Sequence, residues 1–363
     1  MSKTIVTFGE VMGRLCPPGH KRFIQTMPGT LEITFAGAEA NVAASLAYLD
    51  APARFVTALP PNAIGDACEN TLRGLGVDTD SVIRTGDRVG LYFVEKGANQ
   101  RPSTVIYDRD HSAIAEARPE DYDWSAAFSG AGWLHTTGIT PAVSRNAFES
   151  ALAAVRAAKK AGLTVSCDLN FRKKLWRWDP DTGPKELAER SMREILPYVD
   201  LVIANEEDAS DVLGIEAEGS DIEAGKLDTS RYPEVARKIV ADFPNVRQVA
   251  ITLRESVSAS HNNWGAMLYD AGTDQAYFAP EADGTYRPYE IRAIVDRVGG
   301  GDSFGAGLIF ALNTPDLAAP ETAIRFAVAA SCLAHSIEGD FNFTSRAEAE
   351  RLMGGNASGR VVR

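Results

Sequence analysis

Asp296-Arg-Val-Gly-Gly-Gly-Asp-Ser-Phe-Gly-Ala-Gly307, running into the apolar Leu308-Ile-Phe-Ala-Leu312, is the stretch that decides how this chain is read. Three glycines in a row let the backbone turn sharply and present bare N–H groups. A helix beginning near Asp302 adds its unpaired N–H groups and the positive end of its dipole. Gly299, Gly300 and Gly301 then make an anion hole, and the Asp302 carboxylate at its rim is placed to take a proton from a hydroxyl. Phosphoryl transfer is mainly positioning and charge stabilisation, helped by one placed base, so a single short element meets both needs. The competing reading makes Asp302 an N-cap beside a turn, a position aspartate often fills. The chain has neither a GxxxxGK(S/T) loop nor a set of HRD and DFG motifs.

Upstream, short apolar strands alternate with helical runs. Thr4–Phe8 reads as a buried strand, Ala38 to Leu49 as a helix, Arg54–Ala58 as a strand, and Ile64 to Leu75 as a helix closed by Gly76. Trp133–Thr136, the helix Arg145 to Ala161 and Leu163–Cys167 continue the rhythm, and Leu201–Ala204 and Val249–Thr252 are further strands. Such βα alternation predicts a mostly parallel sheet covered by helices on both faces. Residues 14–35 and 88–108 break the pattern. Gly90–Glu95 and Ser103–Tyr107 alternate as two strands of a hairpin, either a lid over a cleft or a surface decoration. The acidic, Gly-containing stretch Glu216 to Asp228 reads as a mobile surface loop.

The 363 residues are 45% hydrophobic and carry a net charge of −12, which argues against nucleic acid or an anionic membrane as partner. No apolar run approaches membrane-spanning length, and the N-terminus lacks a signal-peptide pattern, so a cytoplasmic protein is expected. Cys16, Cys68, Cys167 and Cys332 form no CxxC pair, which leaves buried free thiols as their reading. His135 and His335 lie in apolar runs as core histidines, while Glu39 and Lys173 read as surface or helix-edge residues.

The segment at 296–304 resembles the C-terminal signature of the PfkB (ribokinase-like) carbohydrate kinase family, Asp-Thr-x-Gly-Ala-Gly-Asp-x-Phe, with Arg297 in place of Thr and Gly300 in place of Ala. Phe35-Ala-Gly-Ala-Glu-Ala-Asn-Val-Ala43 resembles the family's Gly-Gly-x-x-x-Asn-x-Ala, Ile64-Gly-Asp66 its Gly-x-Asp, and Ala204-Asn-Glu-Glu-Asp208 its Asn-x-x-Glu, with Asp208 standing for Glu. The resemblance implies an α/β ribokinase-like three-layer fold over residues 1–363 as one kinase domain. Its central sheet would be mostly parallel, with a small β-sheet lid built from residues near 14–35 and 88–110. It also implies ATP and Mg²⁺ as cofactors, allows a monovalent cation such as K⁺, and makes a homo-oligomer the expected state.

Three further stretches are similar to the 2-keto-3-deoxygluconate kinases of that family: Tyr107-Asp-Arg-Asp-His-Ser-Ala113, Asp168-Leu-Asn-Phe-Arg-Lys-Lys-Leu-Trp176 and Gly339-Asp-Phe-Asn342. A sugar acid needs a cation for its carboxylate, and arginine offers a bidentate fork. The resemblance assigns Arg109 and Arg172 to the acid end, Tyr92 and Tyr107 to the pocket wall, and Gly37 and Asn41 to the sugar. Asn205, Thr252 and Arg254 would meet the nucleotide, with Gly299 and Gly301, and Asp208 or Glu207 would reach the metal, Asp208 through water. A surface charge is the alternative for each arginine, and a lid-core residue for Tyr92. The competing functions are a fructokinase-like kinase for a neutral sugar and a sugar-acid-binding protein without turnover.

Overall fold

The strand Thr4–Phe8 sends Val6 and Phe8 into one apolar layer and Ile5 into another. The same division repeats at Leu134 against Trp133 and at Val202 against Ile203, so the sheet is sandwiched between two cores. The computed structural model describes residues 3–205, 207–215 and 229–356; the stretch Glu216 to Asp228 lies outside the described residues. One nine-stranded sheet forms the centre. From one edge its strands are Gln275–Ala279, His261–Asp270, Gln248–Ser258, Leu201–Ala204, Thr164–Asp168, Ala131–Thr137, Thr4–Phe8 and Ala53–Val56, with Tyr289–Ile291 also paired to His261–Asp270. From Gln248–Ser258 to Ala53–Val56 every neighbour is parallel, and the strands beyond are antiparallel. The expected architecture is the observed one: α/β, with a mostly parallel central sheet between helical layers and a separate small sheet.

One layer packs the helices Arg145–Lys160 and Pro184–Ile195 through Val155, Leu187 and Met192. The other packs Gly300–Leu312 and Pro320–Ala334 through Phe304, Ile309 and Phe326. Each such fully buried side chain stabilises the fold by about 1.5–3 kcal/mol. Helix Gly300–Leu312 is apolar all round because it lies beneath a second helix as well as on the sheet.

Three sequence expectations shift. The strand read as Arg54–Ala58 stops at Val56; Ala58–Leu59 instead pairs with Ile83–Arg84. The strand read at Val249–Thr252 extends to Ser258, because its polar end is paired with His261–Asp270 rather than buried. The strands from His261 to Ile291 were not anticipated. Their cue is the pair of short aromatic and aliphatic runs, Trp264–Tyr269 and Gln275–Ala279, on either side of the turn at Ala271-Gly272.

The small sheet has four strands in the order Glu32–Ala36, Met12–Cys16, Gly90–Glu95 and Thr104–Asp108. Met12, Arg14, Tyr92 and Tyr107 share the face toward the body. Leu15, Ile33, Phe93 and Ile106 form a cross-strand row on the other face, where Ile33 is 66% and Ile106 54% exposed. Both histidines sit in the core as read: His135 pairs with Ser166 and His335 with the carbonyl of Ser331.

Candidate active site

A cavity of about 340 Å³ opens where the parallel strands end. Asp168 closes one strand, Asn205 follows another, and Glu10 lies two residues beyond the first. The inner face of the small sheet and the glycine turn complete the walls. This is where open α/β sheets gather ligands.

Gly299 precedes the helix with φ +83° and ψ −4°, a left-handed conformation that favours glycine. A Cβ there would also lie 2.3 Å from the carbonyl oxygen of Asp340. The helix runs Gly300–Leu312, and the Ser303 N–H donates to the Gly299 carbonyl at 2.8 Å. The N–H groups of Gly300, Gly301 and Asp302 therefore have no intrahelical acceptor and face the cavity end of the dipole. Asp302 is the third helical residue rather than the N-cap. Its Oδ2 accepts from Asn41 Nδ2 at 2.6 Å. Burial pushes its carboxyl up to about 7 against the pull of the Asn41 hydrogen bond, with Asp340 and Glu39 adding negative charge nearby and Arg172 opposing. That value suits a group that must both take and release a proton.

Asp168 and Asp208 are two of the other carboxyls that line the cavity. Asp168 is raised well above the usual range by burial and by the charges of Asp208 and Asp302. Asp208 is raised by burial, although its oxygens accept from the Phe171 and Asn205 N–H groups, both at 3.0 Å. Arg172 is exposed, its Nη1 donating to the Phe171 carbonyl at 2.9 Å, and its charge acts on Asp168, Asp208 and Asp302 together. Among the described residues no three His, Cys, Asp or Glu side chains converge to hold a metal. Oxygen donors from Asp168 and Asp208, undercompensated by one arginine, suit a Mg²⁺ that keeps most of its waters. Glu207 is exposed and outside the cavity lining, which leaves Asp208, among the described residues, as the carboxylate of its motif facing the site.

At the small-sheet end, Gly37 lies so close to the Glu10 carbonyl that a Cβ would come within 2.0 Å of its oxygen, and the Gly37 N–H donates to Asn41 Oδ1 at 3.2 Å. Tyr92 is buried and donates its hydroxyl to Asp340 at 2.7 Å, while Tyr107 lies beside it with ring centroids 6.4 Å apart. Arg109 lines the cavity, but Glu10 already holds its guanidinium: Nε donates at 2.7 Å and Nη2 also binds the same oxygen. Ser112 donates to the other Glu10 oxygen at 2.6 Å. Only Nη1 of Arg109 has no hydrogen bond to the described residues. Glu39 corrects its reading as a surface or helix-edge residue. It is 1% exposed, and its Oε1 accepts from Thr137 and Thr140 hydroxyls at 2.8 Å, because helix Ala38–Tyr48 is buried through its first two turns. Lys173 is on the surface.

At the opposite end, the Asn205 side chain accepts from the Glu207 and Asp208 N–H groups at 2.8 and 3.0 Å, in the turn that leads into the helix Asp208–Leu213. Thr252 donates to the Ala204 carbonyl at 3.4 Å, and Arg254 is exposed on the cavity wall. Arg297, first noted only as a departure from Thr, joins them. Its Nη2 donates to Asn262 at 2.7 Å, its buried Nε has no partner, and burial and the neighbouring Arg254 charge lower its pKa. Neither Arg254 nor Arg297 has an acidic partner among the described residues.

The model of the pfkB family carbohydrate kinases matches residues 2–346. The chain is 31% identical over 363 residues to a 2-dehydro-3-deoxygalactonokinase from Haloferax volcanii, covering 99% of both proteins. It is 28% identical over 356 residues to a 2-dehydro-3-deoxygluconokinase from Thermoproteus tenax, covering 96% of this chain and 94% of that one. Its fold matches the crystal structure of a 2-dehydro-3-deoxygluconokinase from Thermotoga maritima with a TM-score of 0.86 and 45% identity, over 97% of this chain and all (100%) of that one. With a glycine turn, a raised aspartate and a small sheet facing them across one cavity, and with the match running almost end to end, the chain belongs to the pfkB family of carbohydrate kinases.

Proposed function

We propose that the protein transfers the γ-phosphoryl group of ATP to the terminal hydroxyl of 2-keto-3-deoxygluconate (2-dehydro-3-deoxygluconate), giving the 6-phosphate and ADP. The observation that carries this reading is the Asp302 carboxyl beside the open N–H groups of Gly300 and Gly301, in the cavity that the small sheet faces. Asp302 takes the proton as the hydroxyl oxygen attacks phosphorus, and the bond from phosphorus to the ADP oxygen breaks. The Gly299–Asp302 amides offset charge on the moving group. Mg²⁺, held by Asp208 through water, would supply charge neutralisation for the ATP phosphates. Gly37 and Asn41 hold the sugar, Tyr92 and Tyr107 wall it, and Arg172 with the open Nη1 of Arg109 meets its carboxylate. Asn205, Thr252 and Arg254 serve the nucleotide.

The neutralisation of Arg109 by Glu10 favours a second reading, a kinase for a neutral sugar. A coupled ADP-release assay with Mg-ATP separates the two, using 2-keto-3-deoxygluconate, 2-keto-3-deoxygalactonate, gluconate and fructose. The expected result is turnover of a keto-deoxy acid that Asp302→Ala lowers by roughly 10²–10⁴-fold. Because the base must be ionised, kcat/KM in the wild type should fall about tenfold per pH unit below about 7. Preference for fructose would replace the substrate, and absence of turnover with all four would favour a binding protein.

A further inference from the structure

Arg14 has no part in the roles above, yet it is buried and its guanidinium leaves the small sheet to enter the α/β body. Nη2 donates to Asp296 Oδ2 at 2.5 Å and Nη1 donates to Asp340 Oδ1. Both carboxylates shape the glycine turn. Asp296 begins that segment, and its Oδ1 accepts the Arg297 and Val298 N–H groups at 2.8 and 3.2 Å. The backbone of Asp340 packs against Gly299 with no room for a side chain, and its second carboxylate oxygen accepts from Tyr92 of the same small sheet at 2.7 Å. Burial alone would weaken the charge on Arg14, but Asp340 and Asp296 outweigh it and hold the guanidinium ionised. One fork thus bridges two carboxylates that a lysine could not span with the same geometry.

We propose that Arg14 is a positioning residue for phosphoryl transfer: by holding Asp296 and Asp340 against the glycine turn, it makes a seated small sheet a condition for an assembled anion hole. The proposal rests on the kinase reading above. Tyr92, Tyr107 and Arg109 stand on or directly after the strands of that sheet, so the layer that meets the sugar acid also fixes the turn that meets the phosphoryl group. Displacements of about 1 Å at such a site cost roughly 100-fold in rate.

The test compares Arg14→Met, Arg14→Lys and Asp340→Asn with wild type in the full chain, measuring kcat, both KM values, kcat/KM against pH, and Tm. Arg14→Met should lower kcat about 100-fold with the sugar-acid KM changed less than about threefold. The charged groups facing Asp302 are Glu39 on the helix Ala38–Tyr48, Arg172 and Asp168 at the end of the strand Thr164–Asp168, and Asp340. Loss of the Arg14 cation leaves Asp340 uncompensated and should move the acid limb to higher pH, whereas Asp340→Asn should move it to lower pH. Arg14→Lys should return the limb toward wild type while recovering kcat only in part. Asp340→Asn leaves one cation with one carboxylate, so it should fold with Tm equal to or above wild type while kcat falls about tenfold. If Arg14→Met fails to fold, Asp340→Asn decides alone. Values of kcat within threefold of wild type, or a limb that does not move down in Asp340→Asn, would overturn the proposal. A wild type without turnover would instead remove the kinase reading before any variant is compared.

Discussion

The two ends of the cavity handle positive charge in opposite ways. At the small-sheet end, Arg14 and Arg109 are buried and paired with carboxylates, Arg14 with Asp296 and Asp340, Arg109 with Glu10. At the other end, Arg254 and Arg297 face each other's charge without an acidic partner among the described residues. A paired, buried arginine contributes shape and fixed hydrogen-bond donors; an unpaired one contributes field. The first arrangement suits a ligand oriented by a few fixed donors, such as the open Nη1 of Arg109, and the second suits a polyphosphate. In a chain with net charge −12, the unpaired cations locally offset the overall negative field.

The largest effect that could break this comparison is at the unpaired end. Arg254→Ala combined with Arg297→Thr, the residue usual in the family's signature, should raise the KM for ATP by roughly 100-fold and leave the sugar-acid KM within about threefold. Equal loss for both ligands in steady-state kinetics would erase the distinction between the ends. A tenfold effect is expected beside the paired end, at Arg172, with a smaller one from the open Nη1 of Arg109. Arg172→Ala should raise the KM for a keto-deoxy acid about tenfold and leave that for fructose unchanged. Arg109→Ala should act chiefly on stability, costing about 3–5 kcal/mol because Glu10 is left buried and unpaired. Thermal melts beside the kinetics check this, and a sugar-acid KM that rises more in Arg109→Ala than in Arg172→Ala would reverse the assignment.

The smallest effect sharpens the role of the residue between the ends. The Asp302 carboxyl is near 3.8 when unfolded and about 7 when folded, so between those values the folded state binds more protons. Its contribution to stability therefore falls as pH rises from about 4 to about 7 and stays unfavourable above. Asp302→Asn should raise Tm by a few degrees at pH 8, with little change at pH 4, while activity is lost. A Tm that falls at pH 8 would mean that the ionised carboxylate stabilises the fold.

How much of this was legible in the sequence depended on range. The turn at Gly299–Asp302 and the parallel strands are written locally, in glycines and in apolar runs bounded by turn residues, and those features are in the structure. Tyr107 and Arg109 could be placed near the cavity by their shared motif, but not the contacts they make there. The Arg14 contacts join residues 282 and 326 positions apart, which no local spacing encodes. Glu39 was misread for a related reason. A carboxylate in an alanine-rich helix looks solvated until Thr137 and Thr140, about a hundred positions away, are folded onto it. Arg297 was visible as a departure from a motif, but only the fold shows its Nε without a partner beside Arg254.

The contact between Gly299 and the Asp340 carbonyl has a consequence in the language of codons. Every amino acid reachable from a glycine codon by one base change carries a Cβ, and at this position the smallest of them would already stand 2.3 Å from an oxygen, on a backbone held at φ +83°. The gene thus has no single-step route away from glycine at position 299 that preserves the turn, and a library of point substitutions selected for activity should return that codon only with synonymous changes.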